Sequence, residues 1–137
     1  MQTFLPFANF KLSAMMLDPS RLGNQAYREC KTLITGGWKN HPASKMWRGY
    51  ESALARYALA CFEELTIRGR HYPSHIRYFT RLVKDDRLPA WLGDERLHTS
   101  HRSALLYKLP SWYGKFNWEE SPAVPNEKGS LPYFWPV

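Results

Sequence analysis

Acidic residues are scarce in this chain: 12 Asp+Glu stand against 19 Lys+Arg in 137 residues, a formal charge of +7. That imbalance points to a polyanionic partner, with nucleic acid ahead of an anionic membrane. Cysteine is scarce too. Cys30 and Cys61 are too few for a disulfide framework, and both read as free thiols. Long hydrophobic runs are missing: Gln2, Pro6, Asn9 and Lys11 interrupt the apolar start. Nothing later approaches the roughly 18–20 apolar residues of a membrane span. The same stretch lacks the basic and apolar regions of a secretory signal, so a reducing, cytoplasmic compartment is expected. There is no glycine-rich phosphate loop, no Ser-His-Asp context and no dinucleotide fingerprint, which removes nucleotide hydrolysis and cofactor redox chemistry. No cofactor is expected, and neither repeats nor low-complexity segments interrupt the chain.

What the sequence does have is aromatic weight: 6 Trp, 8 Tyr and 7 Phe within a 44% hydrophobic composition. Such a chain folds, and its length suits one domain, residues 1–137. The first seventeen residues show no sustained period and suggest an extended arm, with Met15-Met16 most simply core. Asp18-Pro19 reads as an N-cap with proline at the first helical position, and Gly36-Gly37 as a stop, giving a helix over about Pro19 to Ile34. Leu22, Ala26, Cys30, Leu33 and Ile34 share its apolar face, Arg21, Gln25, Arg28 and Thr32 cluster on another, and Glu29 sits on the border. Trp47, Tyr50, Leu54, Tyr57, Ala58, Cys61 and Leu65 predict a long second helix after Asn40-His41-Pro42, ending near Gly69. A shorter helix over about Ser74 to Val83 and a last one over Glu95 to Leu109 follow. The segment after Pro110, rich in Pro, Gly and aromatics, predicts a long irregular tail. The expectation is an all-α, compact domain of about three to four helices.

Charge clusters within this plan. Residues 21–50 carry six basic and one acidic residue, and residues 98–118 three basic and none acidic. Both stretches are interleaved with Trp and Tyr, as in a surface that neutralises phosphates and stacks on bases. Arg21, Arg28 and Lys31 accompany one acid, Glu29, whose boundary position combines partial desolvation with nearby cations, two opposite influences on its pKa. Lys39 lies in the basic stretch before the second helix. His41 is placed to cap that helix or meet DNA, and His101-Arg102 is a phosphate-contact candidate. The pairs His71/His75 and His98/His101 have helical spacing, but without a cysteine or carboxylate partner they predict no metal.

The helix-one tripeptide Tyr27-Arg28-Glu29 resembles the Tyr-Arg-Glu of the pyrimidine-dimer DNA glycosylases with AP-lyase activity, the phage endonuclease V type, at a similar distance from the N-terminus. Pro110-Ser111-Trp112-Tyr113 with Gly114-Lys115 resembles the aromatic, basic C-terminal segment of those enzymes. Gly37-Trp38-Lys39-Asn40-His41-Pro42 and Trp47-Arg48-Gly49-Tyr50 are similar to motifs of their bacterial and phage relatives. The resemblance covers residues about 17–69 and 98–118. It implies a mostly helical, DNA-bound monomer in a bacterial or phage-infected cell, acting on duplex DNA at damaged or modified pyrimidines.

In that family an N-terminal α-amine attacks C1′ of the sugar to form a Schiff base, and the helix-one glutamate assists. An α-amine suits the task because its reference pKa, roughly 7.7–8, leaves an unprotonated fraction near neutrality. The resemblance implies Glu29 as acid/base residue and Arg21 and Arg28 on phosphates. It also implies Gln25 on the DNA backbone or a base, and Trp112, Tyr113 and Lys115 as a second wall. The chain departs from the family at residue 2, where bulky Gln2 replaces a small residue; this is expected to leave Met1 in place, so that the nucleophile is the Met1 amine, one residue further out, or no amine at all. A register that instead aligns Leu17-Asp18 and Arg21-Leu22 puts Arg28 at the glutamate position. The alternative to an enzyme is a non-catalytic DNA-binding or accessory protein on the same scaffold.

Overall fold

A computed structural model describes residues 2–137, and among them every regular element is helical. The elements are α1 (Phe10–Met16), α2 (Pro19–Asn24), a π-helical turn (Gln25–Glu29), α3 (Cys30–Ile34), α4 (Pro42–Trp47), α5 (Glu51–Ile67), α6 (Pro73–Thr80), α7 (Glu95–Lys108), α8 (Pro110–Tyr113) and a 3₁₀ turn (Gly114–Phe116). This exceeds three to four helices, and the surplus comes from breaks and short pieces rather than from a different class. The long second helix is interrupted at Arg48-Gly49, because Gly49 adopts φ +86°, a left-handed conformation that ends α4 before α5 begins. Asn9, whose side chain accepts from Leu12 N–H, starts an unforeseen helix, α1, inside the expected arm. Met15, on α1, is exposed rather than core. Pro110 starts α8, so the tail becomes irregular only from Asn117.

The helical ridge from Pro19 to Ile34 forms as its sequence signals dictate. Asp18 accepts from Arg21 N–H with Pro19 at the first position, and Leu22, Ala26, Cys30 and Leu33 are buried. The π turn in its middle, where Cys30 N–H reaches back five residues to Gln25 C=O, is invisible to a 3.6-residue period. Helix α5 supplies the centre of the core through Leu54, Tyr57, Ala58, Cys61, Phe62 and Leu65. Cys30 and Cys61 are free and buried.

The arm does not lie over this core; its first five described residues run inside it. An extended buried segment must find partners for its backbone without a neighbouring strand, and here side chains provide them. Gln25 Oε1 accepts from Phe4 N–H at 2.9 Å and its Nε2 donates to Gln2 C=O at 3.0 Å. Tyr57 donates to Phe4 C=O at 2.6 Å. His101 Nδ1 accepts from Leu5 N–H and His98 Nδ1 donates to Leu5 C=O, both at 2.8 Å. Arg102 donates to Pro6 C=O at 2.6 Å, and the Trp47 indole donates to Thr3 Oγ1 at 2.9 Å. The spacing of His98 and His101 thus serves to grip one peptide residue from both sides.

This grip makes stability acid-sensitive. Burial, aided by the nearby His98, pushes the His101 pKa down to about 3, whereas an exposed histidine titrates near 6.5. Above that ordinary value neither state binds the proton; below it the unfolded chain does and the folded one does not. Stability is therefore expected to fall progressively as pH drops from about 6.5 toward 3. Urea midpoints at pH 7, 6, 5 and 4 check this, and the His101→Asn variant should show a shallower decline.

Candidate functional site: a basic cleft beside the N-terminal arm

The ridge has two flanks. On one, a cleft of about 390 Å³ is lined by Gln2 and Phe4 of the arm, Ser20, Arg21, Asn24, Gln25 and Glu29 of the ridge, Lys108 at the end of α7, and Gly129, Leu131 and Tyr133 of the tail. On the other, Tyr27 packs edge-on against Tyr72 and His75 at 4.9 and 4.7 Å, and Lys31 lies over the Tyr78 ring, so α6 flanks the ridge. Arg28 and Lys31 are both exposed.

Glu29 is the one acid of the cleft lining among the described residues. Its Oε2 is buried without a hydrogen-bond partner among them. Burial raises its pKa above the ordinary carboxylate range, while the Arg28 guanidinium pulls the other way. Of Glu29 and Arg28, only Glu29 faces the cleft; Arg28 is exposed to solvent. Arg21 shares the cleft lining with Lys108 and pairs with Asp18 at 3.2 Å. Burial and then the Arg21 charge lower the Lys108 pKa. Two like charges brought together in a concave site favour an anion bound between them. Burial pushes the Tyr133 pKa up to about 12.

The structure brings together some of the residues expected at the site and uses others as framework. Met1 lies outside the described residues. Gln25 lines the cleft but is only 2% exposed, and its amide is spent on the arm and on Tyr57, whose hydroxyl reaches Oε1 at 3.1 Å. Its role here is to anchor the arm. His101 and Arg102 are likewise buried; Arg102 bridges Pro6 C=O to Glu95 and Glu120, so neither side chain is free for phosphate. Tyr113 is fully buried, donating to Asp18 Oδ1 and accepting from Asp18 N–H, which locks α8 to the start of the ridge. Trp112 donates to Met16 C=O at 2.8 Å, and Lys115 sits over its ring at 3.5 Å. Of that expected second wall, Lys115 is exposed and Trp112 half-buried, and none of the three lines the cleft.

Lys39 is exposed in the loop before α4. His41 caps α4 by accepting from Ala43 N–H at 3.0 Å, a role its burial-lowered pKa favours by keeping the ring neutral. It also meets Trp135 of the tail at 5.6 Å, and Trp135 meets Tyr133 at 5.7 Å, which ties this loop to the cleft.

Sequence reasoning missed Lys108, Asn24, Ser20 and Tyr133, whose approach to the cleft depends on where α7 and the tail pack. It also missed a cationic run: residues 68–84 contain Arg68, Arg70, Arg77, Arg81 and Lys84 with no acid. Averaging this run with its acidic neighbours hid it; counting charge in a window of about seventeen residues finds it. Among the described residues Arg70, Arg77, Arg81, Arg28 and Lys31 form no ion pair, and all five are exposed. They form a basic surface running from the ridge onto α6.

Among the described residues the scaffold is all-helical, with exposed cations on the ridge and on α6 and a half-buried carboxylate in the cleft that Gln2 also lines. Residues 1–78, more than half the chain, match the family model described as pyrimidine dimer DNA glycosylase, and the chain belongs to that family. No curated protein and no solved structure matches it.

Proposed function

We propose that this protein is an N-glycosylase with associated AP-lyase activity on damaged or modified pyrimidines in duplex DNA, working as a monomer without a cofactor. The observation that carries the reading is the pairing of Glu29, half-buried with an oxygen unpartnered among the described residues, with Gln2, the second residue of the chain, in one cleft. Only one peptide unit separates Gln2 from the α-amine. In the reaction, the Met1 amine adds to C1′ of the nucleotide as the bond from C1′ to the base breaks, and the departing base takes a proton. The new C1′ amine then gives up a proton and its lone pair opens the sugar ring. O4′ is protonated as it leaves, and C1′ becomes the carbon of a protonated Schiff base. Removal of a C2′ proton finally expels the 3′ phosphate. Glu29, with its raised pKa, is suited to deliver a proton early and to accept the later one.

Arg21 and Lys108 would take the phosphates next to the reacting sugar. Arg28, Lys31, Arg70, Arg77 and Arg81 would follow the backbone outward along the ridge and α6. The cleft draws on Gly129, Leu131 and Tyr133 as well as on the arm and ridge, which supports reading residues 1–137 as one working unit. Reaching C1′ in a duplex requires the target nucleotide to leave its stack.

Borohydride trapping tests the reading. The protein is incubated with UV-irradiated, abasic and undamaged duplexes, and the crosslinked residue is mapped by mass spectrometry. A crosslink at the Met1 amine on the first two substrates supports the proposal; duplex binding without crosslink or strand scission on any of them leaves a DNA-binding protein. The basic surface has its own expected outcome. Replacing Arg77 and Arg81 together with Ala should weaken binding to any duplex sequence similarly. It should also flatten the dependence of log K on log salt by roughly 1 for each phosphate the variant no longer neutralises. Titrations at several salt concentrations measure it.

A further inference from the structure

We propose that Trp38 is a wedge that stacks into the duplex and opens a base step beside the cleft, a role that rests on the DNA-acting reading above. Trp38 is the bulkiest side chain left largely in water, 62% exposed, when burying an indole is among the most favourable acts available to a folding chain. Its backbone is held at φ +56°, a left-handed conformation that a bulky residue rarely adopts without a structural reason.

The conformation is built in. Trp38 C=O accepts from Ser44 Oγ at 2.6 Å and from His41 N–H at 2.8 Å. The two preceding glycines admit no other residue easily. Gly36 lies at φ +89°, and a Cβ on Gly37 would come within 2.6 Å of Thr32 Cγ2 and 3.1 Å of Thr32 O. A tight, hydrogen-bonded loop thus lifts one aromatic plane into solvent, its edge contact being His41 at 6.1 Å.

The surroundings favour DNA as the occupant. Lys39, Lys45 and Arg48 are exposed around the loop and form no ion pair among the described residues. The nearby Glu51 carboxylate accepts from Gly49 N–H at 3.2 Å. A rigid indole flanked by cations matches the chemistry of a base step flanked by phosphates, since aromatic faces stack on bases of any sequence and apolar wedges unstack neighbouring pairs. Through His41 and Trp135 the loop is linked to Tyr133 at the cleft, so a wedge here would act within reach of the nucleotide that must leave the stack.

The test uses the full chain and duplexes carrying a stable tetrahydrofuran abasic site, with one 2-aminopurine scanned through the flanking positions. Wild-type binding should raise 2-aminopurine emission at one or two adjacent positions on one side of the site. Trp38→Ala should abolish that rise and weaken binding roughly tenfold or more, while Trp38→Phe keeps part of both. Thermal melting of each variant accompanies the titrations. Trp38→Ala with wild-type emission and affinity overturns the wedge, and so does a stable Trp38→Phe as impaired as Trp38→Ala. A wild-type protein that binds no duplex overturns the functional reading and the wedge together, whereas normal binding by both wild type and Trp38→Ala overturns the wedge alone.

Discussion

Glu29→Gln is expected to lower base excision and strand scission about 10²–10⁴-fold, the usual contribution of a positioned acid/base group, while duplex affinity changes little. The substitution keeps shape and hydrogen-bonding capacity but removes the proton that the proposed mechanism has Glu29 give and take. Glu29 sits in the cleft lining with an oxygen unpartnered among the described residues, so the glutamine amide displaces no partner there and the fold should tolerate it. Burial raises the Glu29 pKa. The acid limb of wild-type strand scission on the abasic duplex, where Glu29 must be unprotonated to accept the C2′ proton, should therefore lie above the ordinary carboxylate value of about 4.3. That limb should be missing from the residual activity of the variant. Single-turnover assays on UV-irradiated and abasic duplexes, alongside equilibrium binding, read both quantities. Turnover surviving intact in Glu29→Gln would remove this residue from the chemistry.

Gln25→Ala should cost the fold more than any other change considered above. Its carboxamide holds Phe4 N–H and Gln2 C=O at once and receives the Tyr57 hydroxyl. Truncation leaves a buried donor and a buried acceptor unpaired, at roughly 1–3 kcal/mol each. A total loss of about 2–6 kcal/mol is a large share of the roughly 5–15 kcal/mol typical of a domain. Urea denaturation measures it. The loss should also release the arm that holds Gln2 in the cleft with Glu29, so Schiff-base trapping should fall further than stability alone explains, even at temperatures where the variant remains folded. Gln25→Glu is an informative companion. It retains the acceptor for Phe4 N–H but, when ionised, offers Gln2 C=O no donor, and it buries a charge.

The contrast between these two residues shows what a sequence conveys about a site. Gln25 and Glu29 lie four positions apart on one ridge, and periodicity places Gln25 on the polar face and Glu29 at its border. The structure reverses their exposure, because the arm crosses Gln25 and leaves Glu29 open to the cleft. Helical periodicity reports only which faces meet, not what a distant segment lays over them. The same limit explains His101 and Arg102. Their charge and their place in a basic stretch suggested phosphate contacts, yet the arm needed donors and acceptors for its peptide groups, and α7 supplied them from those positions.

Caps, proline positions and apolar spacing act locally, and they were enough to specify the helical class, the ridge from Pro19 to Ile34 with its Asp18 cap and the α7 boundaries to within a residue. The free cysteines and the family were legible in the same way, from residue types and short motifs. Packing over long distances settled the rest: residues 2–6 run buried through the core, the tail returns Tyr133 to the cleft beside Lys108, and α6 adds Arg77 and Arg81 to the basic surface. Those outcomes depend on pairing between residues as much as 96 positions apart, where no local propensity acts. There the requirement that every buried peptide group find a partner chooses the arrangement.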